Sequence, residues 1–328
     1  KNYLIENRII MTLNNIQPRP NHTSSFVQEP FFSKMQRFDK YGGIFIPVLS
    51  NLDKKADFIT IDKNNTNDFS LHETERVNSL LVKNLSNKPL LVLNGEIFDG
   101  AKQDRVANET VLVPANSSLE IKVSCVEQGR WAYKTRAFSR GKNMFNYHSK
   151  GVKDLHNNSA KHNQPSGSVQ DNVWRSIRDK QTRMGVSSNT GSVNDTYMRF
   201  DETLSHLREE IIEEFNQIGL LVMIPGKYIG LDLFLNNETF GKYKDRLYKS
   251  HLIELLDNNQ RNLRYPENKI NSFMLQLMYG KEVINPKELG VEYSIYERDC
   301  QVTSNALVFN NDLIHLTAIQ NMERRYAR

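Results

Sequence analysis

Two short segments carry most of the residues in this chain that could do chemistry. The first, GEIFDGAKQDR, holds Glu96, Lys102, Gln103 and Arg105; the second, CVEQGRW, holds Glu127, Gln128, Arg130 and Trp131. Lys102, Arg105 and Arg130 are cationic donors. An arginine fork matches phosphate oxygens in a plane, and lysine adds a point charge. Gln103 and Gln128 can read a base edge or ribose hydroxyls, and Trp131 or Tyr133 can stack on a ring. Glu96 and Glu127, brought close together, suit general acid/base hydrolysis of a glycosidic or N-glycosidic bond. These are parts fitted to a nucleotide-like anion. The same charges equally suit a buried ion network that pins two pieces of chain together, and the sequence leaves both readings open.

Other candidates are weaker. Cys125 would be a nucleophile if Arg130 or Lys102 lowered its pKa, but its parity with Leu119, Ile121 and Val123 places it inside as a small buried thiol. His148, His156 and His162 fall in a polar stretch without helical spacing or an accompanying carboxylate, so no metal site is expected. His315 reads as a core residue, and Trp174 as a core anchor or a stacking platform. The basic residues Arg130, Lys134, Arg136, Arg140, Lys142, Lys150 and Lys153 run without an acid until Asp154. They read as a solvated loop or as a collar for phosphate groups. There is no Walker loop and no GxGxxG fingerprint, so no cofactor is assigned.

The elements that must position these groups are legible by period. Leu119, Ile121, Val123 and Cys125 alternate with polar residues as in a half-buried strand. Val111–Val113 precedes the turn-forming run from Pro114 to Ser118, so the two strands are expected to pair as a hairpin whose far ends bring GAKQDR beside EQGRW. Strands are also expected at Ile44–Leu49, Phe58–Ile61, Leu80–Val82 and Leu90–Leu93. A helix is expected after a variant capping box at Ser168 and Asp171, with Val173 and Ile177 inward. SSNTGS, from Ser187, reads as a hydroxyl-rich turn. A longer helix is expected over Phe200, Leu204, Leu207, Ile211 and Phe215, with Glu209, Glu210, Glu213 and Glu214 on its solvated face. Next come a hairpin through Pro225-Gly226-Lys227, a helix capped by Asn237, and a hairpin through Asn310-Asn311-Asp312.

The expected fold class is α+β: an N-terminal β-sandwich or partial barrel followed by a mixed α+β half packed against it. The expected divisions are an irregular extension over residues 1–40, a β-rich region over 41–138 carrying both segments, a polar loop over 139–167, and an α+β region over 168–328. With 328 residues, 38% hydrophobic and 25% charged, the chain can bury a large core. No apolar run reaches a bilayer's thickness, so no membrane partner is expected. The first residues lack a continuous apolar core and suggest no signal peptide, with Met11 as an alternative start. Two distant cysteines argue against a disulfide scaffold and for a reducing, cytoplasmic setting, and a net charge of +5 is too small to mark a nucleic-acid binder.

The segments GEIFDGAKQDR and LVPANSSLEIKVSCVEQGRW, then VWRSI with SSNTGSVND, and GLLVMIPGKYIGLDLF resemble one bacterial family. It is the ARG and rhodanese-phosphatase-superfamily-associated protein family, in which ARG stands for ADP-ribosylglycohydrolase. The resemblance covers roughly residues 40–320. Where the family pattern reads GAKQNR, this chain has Asp104, which replaces an amide by a negative charge beside Lys102 and Arg105. The resemblance implies a setting in NAD or ADP-ribose chemistry, in bacterial conflict or repair systems, with ADP-ribose-processing enzymes as partners. It supplies no mechanism. Two functions follow as expectations: a protein that binds, and has the groups to hydrolyse, a nucleotide- or ADP-ribose-related ligand, or a noncatalytic interaction module built on a structural polar network.

Overall fold

Side-chain alternation sets the architecture, because one set of strands is buried on both faces and another on one. The computed structural model describes residues 20–74, 76–146, 166–258, 267–296 and 302–321. In the first half the strands are β1 (Phe31–Phe32), β2 (Gln36–Phe38), β3 (Gly43–Leu49), β4 (Ile59–Thr60), β5 (Phe69–Glu73) and β6 (Ser79–Asn84). They continue as β7 (Leu90–Val92), β8 (Glu96–Gly100), β9 (Arg105–Ala107), β10 (Val111–Val113), β11 (Ser117–Cys125) and β12 (Phe138–Met144). The second half adds β13 (Gln217–Ile224), β14 (Tyr228–Phe234), β15 (Glu282–Pro286), β16 (Val291–Tyr296), β17 (Val302–Phe309) and β18 (Asp312–Asn321). The helices are α1 (His22–Gln28), α2 (Ser166–Met184), α3 (Val193–Arg199), α4 (Asp201–Glu209), α5 (Asn237–Leu256) and α6 (Glu267–Tyr279).

A nine-stranded sheet runs β1-β3-β13-β14-β18-β17-β16-β15, with β2 also on β3. Ile44, Ile46, Leu221, Met223, Ile229 and Leu231 point to one face, in a core with Phe273 and Leu277 of α6. Their neighbours Phe45, Leu220, Val222, Ile224 and Tyr228 point to the other, in a core shared with α2, α4 and α5. Burial on both faces explains why GLLVMI is an unbroken apolar run rather than an alternating one. A third core lies between a six-stranded sheet, β12-β8-β9-β11-β6-β5, and a three-stranded one, β10-β7-β4. Leu80, Val82, Val92, Phe98, Val113, Ile121 and Val123 fill it. The class is α+β, with a strand-rich N-terminal part curled into a half-barrel and a mixed half packed on it.

Both expected hairpins of the second half are present. β13 and β14 pair through Ile224↔Tyr228 around Gly226 at φ 77°. β17 and β18 pair through Phe309↔Asp312, with Asn310 and Asn311 at φ 53° and 66°, the primed turn that suits strand twist.

Other expectations are corrected. β10 and β11 do not form a hairpin: β10 pairs with β7, while β11 pairs with β6 and β9. Asn84 explains the divergence, since its Nδ2 donates to the Val113 and Pro114 carbonyls at 3.1 and 2.9 Å and ties the end of β10 to another part of the chain. The helix expected through Phe215 stops at Glu209. Gln36 binds the backbone of Ile212 through both amide atoms, and Glu213 is paired with Arg208 and Lys244, so the chain leaves the helix and Phe215 ends 93% exposed. Asn236, not Asn237, caps α5, accepting from the Thr239 N–H at 2.8 Å. α2 begins at Ser166, two residues before the expected capping box. The start of the expected polar loop is strand β12, and His148, His156 and His162 lie outside the described residues. Residues 22–38 of the expected irregular extension form α1, β1 and β2, and β3 joins the sheet of the second half.

Candidate functional site

The GAKQDR and EQGRW segments do come together, through β9 rather than through β10. β9 pairs with β8 on one side (Phe98↔Arg105) and with β11 on the other (Cys125↔Arg105). Between β8 and β9 the chain turns tightly, with Gly100 at φ 124° and Ala101 at φ 44°. A Cβ at Gly100 would lie 2.9 Å from the Ala137 carbonyl oxygen, so glycine is required twice over there. Asp104 closes the turn by accepting the Gly100 N–H at 2.9 Å.

Arg130 binds the two segments. Its Nε and Nη2 reach Glu127 Oε2 at 2.8 and 2.6 Å, and Nη2 reaches Asp104 Oδ1 at 3.1 Å. Nη1 donates to the Ala101 and Ala132 carbonyls at 2.6 and 3.0 Å. All three guanidinium nitrogens are thus engaged by the protein itself. Gln103 and Arg105 form a second knot. Gln103 Nε2 donates to the Glu127 carbonyl at 2.8 Å, and its Oε1 accepts from Arg105 Nη1 at 3.1 Å and from the Cys125 thiol at 3.2 Å. Arg105 also contacts the Cys125 sulfur, and Glu73 at 3.9 Å.

α2 and the turn before α3 cover the cluster. Gln170 exchanges two 2.8 Å hydrogen bonds with the backbone of Cys125, and Arg178 donates to Gln128 Oε1 at 2.6 Å. The SSNTGS turn docks on EQGR, where the Gly129 N–H donates to the Thr190 carbonyl at 2.7 Å. Gly129 permits this approach, since a Cβ would sit 3.1 Å from Thr190 Cα. Ser192 caps α3, and Asn194 donates to Asp99 Oδ1 at 2.9 Å and Asp104 Oδ2 at 3.1 Å. The hydroxyl-rich turn is therefore a lock on this cluster.

Three carboxylates share the neighbourhood and their environments push them apart. Burial raises the Asp99 pKa, and the Asp104 charge raises it further. Burial likewise raises Asp104, with Glu127 adding to it. Glu127 goes down: burial opposes its charge, but hydrogen bonds from Arg130, the Asp104 N–H and Thr190 outweigh it. Cys125 is pushed up to about 11 by burial, despite Arg105 beside it, so the thiol stays protonated and acts as a donor. Among the described residues no three His, Cys, Asp or Glu side chains are disposed to hold a metal ion.

Seven of the eight residues singled out in the sequence meet here: Lys102, Gln103, Arg105, Glu127, Gln128, Arg130 and Trp131. Glu96 goes elsewhere, accepting the Leu93 N–H at 2.9 Å and pairing with Arg246 of α5 at 2.9 Å. Glu96 and Glu127 thus have separate arginine partners. Gln103 and Arg105 are buried, whereas Lys102 is half-buried with its Nζ 5.2 Å from the Tyr133 ring centroid. Trp131 and Tyr133 are 60% and 62% exposed, and Lys134 and Arg136 are exposed beside them. Asp99, Asn194 and Gln170 are members that sequence reasoning missed; the VWRSI and SSNTGSVND segments pointed near the latter two. His315 is buried as expected, with Nε2 3.5 Å from Asp232 Oδ1.

The pairing of β8, β9 and β11 and the turn docked on them span the segments by which a family would be recognised. A model of the ARG and Rhodanese-Phosphatase-superfamily-associated Protein domain, ARPP-1, matches residues 41–319. The chain belongs to the ARPP-1 family. The match takes in the cluster and both of its covering elements, and it ends within β18, so the ARPP-1 domain comprises the half-barrel and the mixed half together. No curated protein and no solved structure matches this ARPP-1 chain. No helix among its described residues is long and apolar enough to cross a membrane.

Proposed function

We propose that the rim of this cluster binds a nucleotide-like ligand of the ADP-ribose class. A ring would lie against Trp131 and Tyr133, and phosphates against Lys102, Lys134 and Arg136. The reading rests on one observation: two large aromatic side chains stand in solvent beside cations, while the polar groups behind them are tied down. Base-on-aromatic stacking contributes roughly 1–3 kcal/mol per ring, and preformed cations add charge-assisted hydrogen bonds. In this reading Arg105 and Arg130 are scaffold rather than ligand clamps, since their nitrogens already serve Glu127, Asp104, Gln103 and backbone carbonyls.

Hydrolysis of an N-glycosidic bond in such a ligand would draw its acid from Asp99. Burial and Asp104 favour its protonated form, and it is half-buried rather than sealed. The family's name, with its association to ADP-ribosylglycohydrolases, suits a role in NAD or ADP-ribose metabolism or a bacterial conflict or repair system in the cytoplasm, beside ADP-ribose-processing enzymes. The internal saturation of Arg130 favours a second reading, a noncatalytic module whose network holds the 131–136 surface for a protein partner.

Thermal-shift titration with ADP-ribose, NAD and mononucleotides separates the two, because a ligand that binds only the native state raises Tm by mass action. The ligand reading expects a saturable rise that disappears in Trp131→Ala/Tyr133→Ala with no change in the unliganded Tm. The absence of any rise with all three ligands would leave the interaction module as the better account.

A further inference from the structure

A second group of side chains, away from the GAKQDR–EQGRW cluster, carries buried donors that the protein does not use. α5 sends Tyr243 and Arg246 toward β12 and the start of β8. Arg246 is 8% exposed in its side chain; its Nη2 is spent on Glu96 Oε1 at 2.9 Å. Its Nε and Nη1, both buried, have no hydrogen-bond partner among the described residues. The Tyr243 hydroxyl and Arg140 Nε are likewise buried and without hydrogen-bond partners among the described residues. The guanidinium carbon of Arg246 sits 5.2 Å from the Tyr243 ring centroid, so the two side chains are held against each other. Arg140 is anchored at its far end, with Nη1 3.4 Å from Asp62 Oδ2 and Nη2 donating to the Lys242 carbonyl at 2.9 Å.

Buried polar atoms in folded proteins almost always find partners, and each that does not asks for an occupant. Here the unused groups are four, on three neighbouring side chains, and each can donate. Such a set calls for acceptors pointing several ways from one small centre. We infer that Arg140, Arg246 and Tyr243 form a site for a compact oxyanion, a phosphate group, between α5 and β12. Two guanidiniums and a phenol hydroxyl suit a phosphate, whose oxygens accept charge-assisted hydrogen bonds in several directions. Glu96 holds Nη2 of Arg246 and Asp62 holds Nη1 of Arg140, which leaves Nε of both arginines and Nη1 of Arg246 for the guest. The Arg140 pKa is lowered, by burial first and by the Arg246 charge next, and Glu96, Tyr243 and Asp62 offset this only in part. An anion would relieve both effects.

The site stands independently of the aromatic rim, and its test does not involve it. Arg246 also neutralises Glu96, so its removal would unsettle the fold. Tyr243→Phe is the cleaner change, because it deletes one donor and keeps the ring under Arg246. The full chain is titrated with inorganic phosphate and with glycerol phosphate against chloride at matched ionic strength, following Tm. Wild type is expected to show a saturable rise with phosphate and none with chloride, and Tyr243→Phe to need about tenfold more phosphate for the same rise. Arg140→Gln should weaken the response in the same direction. A stronger response to glycerol phosphate would make the natural guest a phosphate ester, and a stronger one to inorganic phosphate the free ion. The inference is overturned if phosphate acts no differently from chloride, or if wild type and Tyr243→Phe respond identically. It is equally overturned if a crystal grown in phosphate shows only water on Arg246 Nε and Tyr243 Oη.

Discussion

Arg130 places both its Nε and its Nη2 on a single oxygen of Glu127, at 2.8 and 2.6 Å, three residues back along the chain. That contact turns EQGRW on itself. The Nη2 of the same arginine then reaches Asp104 in the other segment at 3.1 Å. Removing the arginine would strand two buried carboxylates. Arg130→Ala is therefore expected to destabilise the fold by about 3–5 kcal/mol, the cost of leaving a buried ion pair broken. Urea denaturation measures it, and a loss below about 1 kcal/mol would show that the network is not structural.

Glu127 and its neighbours act on pH-dependent stability with opposite signs. The Glu127 pKa is lowered in the folded chain, so its contribution is complete above the unfolded value and is lost as pH falls through the folded one. Glu127→Gln should lower stability at neutral pH and flatten the loss on acidification. Melting curves of the two proteins across the acid range would show the lines converging as pH falls. Parallel lines would count against the assignment.

Asp104 works the other way. Its pKa is raised, by burial and by Glu127, so its ionised form weakens the fold once pH passes the folded value. Asp104→Asn restores the amide of the family pattern. Its Oδ1 can still accept from Gly100 and Arg130, and the bond given up is the one Asn194 makes to Oδ2, which Asn194 offsets through its bond to Asp99. It should raise Tm at neutral pH, lose that advantage in acid, and bring the Asp99 carboxyl closer to its ordinary range by removing a like charge. Carboxyl-carbon NMR titration of Asp99 follows the last effect directly; an unmoved Asp99 would break the proposed coupling.

The buried thiol makes a simple negative test. Cys125 is fully buried with its pKa pushed up to about 11, so native protein at about pH 8 should resist iodoacetamide and react only after unfolding. Mass spectrometry of the labelled chain decides it. Rapid native labelling at Cys125 would reopen a nucleophilic role.

How much of this was legible in the sequence follows from which interactions are local. The alternation from Leu119 to Cys125 and the primed Asn310-Asn311 turn are written within a few residues, and both elements are present as expected. The β10–β11 hairpin does not form although the turn chemistry from Pro114 to Ser118 is real, because Asn84, some thirty residues back, holds the Val113 and Pro114 carbonyls. The two segments were still expected side by side, since β9 supplies the juxtaposition by another path. Phe215 fits a helical stripe by spacing, but Gln36 and Lys244 capture the chain before the helix can reach it. Asp99 went unnoticed because a lone carboxylate late in a strand looks like any solvent-facing residue, and only Asn194, from far along the chain, gives it a role. The partner of Glu96 was invisible for the same reason: Arg246 lies on a helix whose register against β8 is set by tertiary packing.

Calorimetric titration of ADP-ribose into wild type and into Trp131→Ala/Tyr133→Ala tests the central claim most directly. The account predicts single-site binding to wild type and its loss in the double variant, with identical melting of the two unliganded proteins. Absence of binding to folded wild type, or equal affinity in the double variant, would contradict it.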